Sequence, residues 1–247
     1  MKANFTLLLT LFIGLLYAQE STLYVKYSYF NTNAVTNKDV YAELINSQNK
    51  SKFILYTKKI NPTTRYFDEN NEMKGELIDF EDEVYKDFSQ NSYFANSPIP
   101  FTYKFTSKDS LNHLKWELKD NIKEILGYSC TEAHTSFHGR NYIAYFTYEI
   151  PIFDGPWKFN GLPGLILELK EETGMLEIVA YELKTEAKIK NIDSKLDIVN
   201  AFYWDELINR AKLKFKATLN NMRINDPNAN STIDSSNSLE LFDINEK

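Results

Sequence analysis

Hydrophobic and polar positions alternate along most of this chain, and the period changes only near its end. In residues 23–30, LYVKYSYF, Leu23, Val25, Tyr27 and Tyr29 share one face and Tyr24, Lys26, Ser28 and Phe30 the other, a strand pattern rich in aromatic and branched side chains. YAELIN (41–46) and SKFILYTKK (51–59) predict a hairpin across the turn-forming SQNK. Shorter strand-like runs follow at 65–67, 76–80, 84–88 and 101–105, with Asn61-Pro62 and the two prolines of 97–100 as punctuation. In 111–128, alternation of Leu114, Trp116 and Leu118 with His113, Lys115, Glu117 and Lys119 predicts two strands about a short turn at Asp120-Asn121. YSCTEAHTSF, the turn 138–141 and YIAYFTYEI form the clearest hairpin; LILELK, the turn 171–174 and MLEIVAYELK form another.

From Trp204 onward, Leu207, Ile208, Ala211, Phe215, Leu219 and Met222 recur at helical spacing, which predicts one amphipathic helix with Lys212 and Lys216 on its solvated side. Residues 225–238 are polar and too poor in apolar groups to pack, so 225–247 reads as a disordered tail; Leu239, Glu240, Leu241 and Phe242 are its one candidate edge strand. The predicted fold is therefore mainly β: a curved antiparallel sheet or half-barrel, closed by a C-terminal amphipathic helix packed through Leu207, Ala211 and Phe215.

The first eighteen residues carry Lys2, an apolar run over 7–16 and small Ala18 before Gln19, the layout of a secretory signal peptide cleaved near Ala18/Gln19. The run is shorter than the ~20 residues of a membrane span, so the expected product is periplasmic or secreted, with no stable span once the leader is removed. Residues 19–224 then form a single β-rich domain. Cys130 is the only cysteine, which excludes an internal disulfide, and an aromatic fraction of 15% supplies core material instead. A net charge of −6 argues against a nucleic-acid partner.

The stretch 154–169, DGPWKFNGLPGLILEL, concentrates three glycines, two prolines, a tryptophan and a phenylalanine ahead of an apolar strand. Pro163 presets φ at the second position of a turn and Gly164 suits the third, so Leu162-Pro163-Gly164-Leu165 reads as a type II turn, with Gly161 beside it. Trp157, Phe159, Leu162 and Leu165 either plug the concave side of the sheet or form an exposed docking patch, and burial, worth about 1.5–3 kcal/mol per large side chain, favours the plug. Arg140 is placed either to clamp a carboxylate or phosphate or to pair with Asp154 or Glu149. The binding candidates are thus Arg140, Trp157, Phe159, Leu162 and Pro163, and the structural turn is Gly161, Pro163 and Gly164.

Cys130, Glu132, His134, Ser136 and His138 share strand parity. Residues four apart on a strand are roughly 13 Å apart, too far for His134 and His138 to hold one ion, so no metal and no cofactor are expected. The same distance separates Cys130 from His134 and disfavours a nucleophilic dyad. No catalytic residue is assigned on sequence grounds; the hydrolase alternative, acting on envelope peptides or glycans, requires Asp154, His134 and Arg140 to converge.

The string Gly161-Leu162-Pro163-Gly164-Leu165-Ile166 resembles the bacterial GLPGLI family. Gly127-Tyr128-Ser129-Cys130, Phe137-His138-Gly139-Arg140, Ile150-Pro151 and Gly155-Pro156-Trp157-Lys158-Phe159 precede it in the expected order, and Tyr145-Phe146 departs from a pattern with tryptophan before an aromatic. The resemblance implies an exported protein of unestablished activity, with a link to outer-membrane TonB-dependent transport. The strand order also resembles that of periplasmic lipoprotein carriers, which implies a concave face holding an apolar ligand. The function expected is non-enzymatic binding of an apolar ligand or a partner protein such as an outer-membrane transporter, or a structural role beside an outer-membrane complex.

Overall fold

The computed structural model describes residues 21–32, 40–61, 63–70, 72–99, 101–102, 105–225, 228, 231–233, 235 and 240. The leader and most of the tail lie outside them. The strands are β1 (Thr22–Asn31), β2 (Tyr41–Ser47), β3 (Lys50–Ile60), β4 (Tyr66–Phe67), β5 (Met73–Lys74), β6 (Leu77–Asp87), β7 (Ser92–Asn96) and β8 (Thr106–Ser110). After a 3-10 turn at Leu111–His113 come β9 (Glu117–Ile125), β10 (Tyr128–Phe137), β11 (Arg140–Thr147), β12 (Leu165–Glu171), β13 (Leu176–Glu186), β14 (Phe202–Tyr203) and the helix α1 (Trp204–Asn225).

Twelve strands form one sheet in the order β14-β8-β7-β6-β3-β2-β1-β13-β12-β11-β10-β9, antiparallel throughout except for the β14/β8 pair, while β4 and β5 make a separate ribbon. Register shifts at Lys26/Tyr27 and Tyr145/Phe146, and a third facing Thr131 to Ala133, bend it. The curl is strong enough to bring opposite ends of the order together: the His113 ring lies 5.7 Å from Tyr93 on β7 and 5.0 Å from Phe137 on β10. The fold is thus the mainly β, curved sheet with a C-terminal helix that the alternation predicts.

Several local expectations are corrected. Asp120-Asn121 is not a turn: β9 runs through it, and the chain reverses at Leu126-Gly127, where both residues have positive φ (54° and 82°). In the ladder Thr131 faces Ile122 and Ala133 faces Leu118, so Lys119, Asp120 and Asn121 together oppose Glu132, and the polar pair marks a bulge. The runs 76–80 and 84–88 belong to one strand, β6. The aromatic run 101–105 precedes β8 rather than forming it: Phe101 has φ +67° and Phe105 N donates to Thr102 O.

The concave interior is apolar, with Val25, Tyr27, Leu44, Phe53, Ala133, Ala144, Phe146 and Leu169 among its buried members. Residues following β13 cross the other side of the sheet and bury Ile192 and Ala201 against Ile45, Tyr85 and Phe94. Helix α1 buries Leu207, Ala211 and Phe215, as its periodicity predicts, but against Ile99, Phe105 and Phe202 at the β8 edge. Its first turn carries Asp205 and Glu206, and Glu206 accepts a hydrogen bond from Tyr203 N at 2.9 Å, satisfying a backbone donor where the helix starts.

Candidate functional site

The connection between β11 and β12 folds back over the concave face and fills it. Phe159, Leu162 and Leu165 are essentially inaccessible, while Pro163 and Gly161 sit at the surface. Phe159 packs on Tyr142 (4.6 Å between ring centroids) and Phe137 (5.6 Å). The plug is tied to the sheet by a buried ion pair: Lys86 Nζ on β6 donates to Asp154 Oδ1 (2.7 Å), Gly155 O (2.8 Å) and Phe159 O (2.9 Å). Asp154 also accepts from Asn46 Nδ2 (2.9 Å) and Gly155 N (2.8 Å), so both charges are satisfied within the fold. Burial pushes the Lys86 ammonium below its ordinary pKa despite Asp154, which pulls the other way. Tyr27 Oη donates to Ile166 O and Trp116 Nε1 to Asn160 O, pinning the two ends of the plug.

The Leu162–Leu165 turn is closed differently from the expected type II geometry. Gly164 does not adopt positive φ; Gly161 does, at +87°. A Cβ on Gly164 would lie 2.0 Å from Thr147 O, so the glycine is required by backbone touching backbone where β12 departs beside β11. Gly155 is likewise crowded, its added Cβ 2.7 Å from Ile166 Cβ.

A recess of about 170 Å³ lies between the plug and β3, β6 and β7, lined in part by Phe53, Asp82, Asn96, Trp157, Lys158 and Glu240. A wider, more open one of about 510 Å³ lies at Pro151, Ile152 and Phe153 beside Asn46 and Phe88. Trp157 stands at the edge of the smaller recess, half-buried, with φ +52°, a strained conformation for a bulky residue. Lys158 is 2% exposed, and its ammonium lies within 6 Å of four rings: Trp157 (5.2 Å), Tyr93 (5.7 Å), Phe137 (5.9 Å) and Trp204 (5.9 Å). Glu240 Oε2 meets Lys158 Nζ at 2.5 Å and Glu240 Oε1 meets His138 Nδ1 at 2.7 Å. Burial alone would raise the Glu240 carboxyl, but the Lys158 charge and the His138 contact hold it below the usual carboxylate range. Nearby Asp82 is raised above that range by loss of hydration, although Asn96 donates to it at 2.7 Å.

The other residues singled out from sequence go elsewhere. Arg140 is 9% exposed with Nη1 3.6 Å from Glu171 Oε1, so its carboxylate neighbour is Glu171 and neither Asp154 nor Glu149. His134 bonds Glu132, which also accepts from Tyr145 and Asn121. His138 leaves the parity row it was assigned to, because the His138-Gly139 turn has positive φ at both residues (42° and 79°) and stacks the imidazole on Trp204 at 4.1 Å. Asp154, His134 and Arg140 therefore have three separate sets of partners, and the hydrolase constellation is not formed. Cys130 is fully buried and burial pushes its thiol up to about 11. Among the described residues no group of three or more His, Cys, Asp and Glu side chains is placed to hold a metal ion.

Sequence reasoning missed Lys86, Lys158 and Glu240. Lys86 carried a partial signal, since it shares strand parity with apolar Val84, although Tyr85 on the opposite parity is apolar and buried too. Glu240, 82 residues beyond Lys158, carried none.

Residues 42–210 match the family described as N-glycanase peptide, N-terminal domain. No curated protein matches the chain. Among solved structures, PNGF-II in space group P21 aligns with a TM-score of 0.48 and 16% identity over 78% of this chain and 34% of that one. PNGF-II in space group C2 gives 0.46 and 18% over 78% and 33%. The Pseudomonas aeruginosa MucA/MucB complex gives 0.30 and 9% over 71% and 55%. The aligned part of this chain spans about a third of the PNGF-II chains.

Proposed function

The chain belongs to the N-glycanase peptide, N-terminal domain family, and from that premise we propose that it is an exported, non-enzymatic binding unit of the cell envelope that takes glycan at the recess beside Trp157. The carrying observation is the lining of that recess. Half-buried Trp157 offers flat apolar surface above buried Phe53, and Asp82 and Asn96 offer hydrogen-bonding groups, the combination that suits a sugar ring with its C–H face and hydroxyls. An apolar ligand is less well served. The chain's own Phe159, Leu162 and Leu165 occupy the interior, and a volume of about 170 Å³ is well under the ~300–1,000 Å³ of pockets that enclose drug-sized ligands.

A partner-protein reading, including an outer-membrane TonB-dependent transporter, is supported by a different feature: Tyr148 and Phe153, on the solvent side of the plug, are 53% and 58% exposed. The glycan reading is tested by calorimetric titration with a high-mannose oligosaccharide. Trp157→Ala is expected to weaken binding tenfold or more while the unfolding midpoint stays within about 5 °C of the parent. Equal affinity in a folded variant, or no binding by the parent, contradicts it.

A further inference from the structure

The cation at the recess is built by the fold, whereas the anion that meets it arrives from outside the sheet. Tyr93 comes from β7, Phe137 and His138 from the β10 end, Trp157 and Lys158 from the plug, and Trp204 from the start of α1. Four elements therefore converge on one ammonium. A lysine 2% exposed needs an anion as well as rings, because burying a charge without a partner is strongly unfavourable. Glu240 supplies it, bridging Lys158 Nζ and His138 Nδ1 with its two oxygens. Residues 226–239 separate Glu240 from α1; they are mostly polar in sequence, and Ile233 among them packs partly buried against the cluster of Ile99, Leu207, Ala211 and Phe215.

A second observation lies behind the same rings. The imidazole of His113 rests between Tyr93 and Phe137, and its Nε2 is buried with no hydrogen-bond partner. An unsatisfied polar atom is costly in such a place, and it lies behind Tyr93 and Phe137, two of the four rings that surround the Lys158 ammonium.

We propose that Lys158 and His138 form a carboxylate-binding site for an acidic sugar of the uronic or sialic acid class, and that Glu240 is its tethered occupant in the unliganded chain. The ligand carboxylate takes the place of the Glu240 carboxylate, and the sugar ring enters the adjoining recess against Trp157. Glu240 thereby acts as an internal competitor, keeping Lys158 paired and excluding weak anions. The acidic-sugar class rests on the glycan reading above; the carboxylate site stands without it.

The test uses the full chain and thermal unfolding at matched ionic strength with D-glucuronate, acetate or glucose. In Glu240→Ala, saturating glucuronate is expected to raise the unfolding midpoint by about 5 °C, with a smaller rise from acetate and none from glucose. The parent is expected to shift by less than about 1 °C, because a tethered carboxylate competes at an effective concentration in the ~mM range. Adding Lys158→Met to Glu240→Ala is expected to abolish the response. Absence of any carboxylate-specific shift in Glu240→Ala, or an equal shift in the double variant, overturns the site. Acetate acting without glucuronate overturns the sugar class.

If Glu240→Ala does not fold, Glu240→Gln keeps the side-chain shape and is expected to bind glucuronate at least tenfold more tightly than the parent; unchanged affinity overturns the proposal. Glucuronate binding without high-mannose binding removes the neutral-glycan reading alone, and the converse removes this one alone.

Discussion

Lys86→Met, which removes the sheet's anchor for the plug, is expected to destabilise the protein by about 3–5 kcal/mol, the largest effect of any single change at that junction. The substitution leaves Asp154 charged, fully buried and stripped of its cation, and it removes the donor to Gly155 O and Phe159 O at the same time. For a chain of this size the unfolding midpoint should fall by roughly 6–20 °C. Asp154→Asn should lie in the same direction and be non-additive with Lys86→Met, because the two side chains form one network with Asn46. Calorimetric or urea unfolding of the two single variants and the double checks both statements. A loss under about 1 kcal/mol for Lys86→Met would mean that the plug is held by its apolar contacts alone.

Gly164→Ala is expected to destabilise by about 3 kcal/mol or more, measured in the same way. The clash is between backbones: the added carbon meets Thr147 O at 2.0 Å and Thr147 C at 2.7 Å, and neither is the end of a flexible side chain. Gly174→Ala is the matched control. It sits at φ +84° with nothing within 4 Å of the added carbon, so only the conformational penalty of about 1–2 kcal/mol applies. Equal losses at the two positions would contradict the claim that close approach, rather than backbone conformation, fixes glycine at position 164.

These two results bear on how far the chain can be read without its structure. Strand and hairpin positions were legible wherever alternation met a tight turn, as at Gln48-Asn49, His138-Gly139 and 171–174, because side-chain parity and turn chemistry are local properties. The plug was legible too, since Phe159, Leu162 and Leu165 are too apolar to leave in water. The reason for Gly164 was not. Sequence offers Pro-Gly as a turn signal, whereas the need for glycine comes from Thr147, brought alongside only when β11 and β12 pair.

Asp120-Asn121 misled in the same way: a polar pair in an alternating run marks either a turn or a bulge, and only pairing with β10 decides between them. The candidate site was half legible. Trp157 was picked out by its surroundings, but the charges that define the recess come from Lys158 and Glu240, joined across a separation that no local pattern records. Arg140, the conspicuous charge in sequence, is set beside Glu171 as part of the sheet.

The central claim is that glycan enters beside Trp157, and the three tryptophans of the chain report on it separately. Trp157 walls the recess, Trp204 closes the Lys158 cage, and Trp116 donates its indole N–H to Asn160 O inside the plug. Nitrogen-15 correlation spectra of the indole N–H groups during titration of the parent with a high-mannose oligosaccharide, and of Glu240→Ala with glucuronate, are therefore the most direct measurement. The account predicts saturable shifts of the Trp157 and Trp204 indoles with Trp116 unmoved. Saturable binding that shifts Trp116 alone, or none of the three, would contradict it.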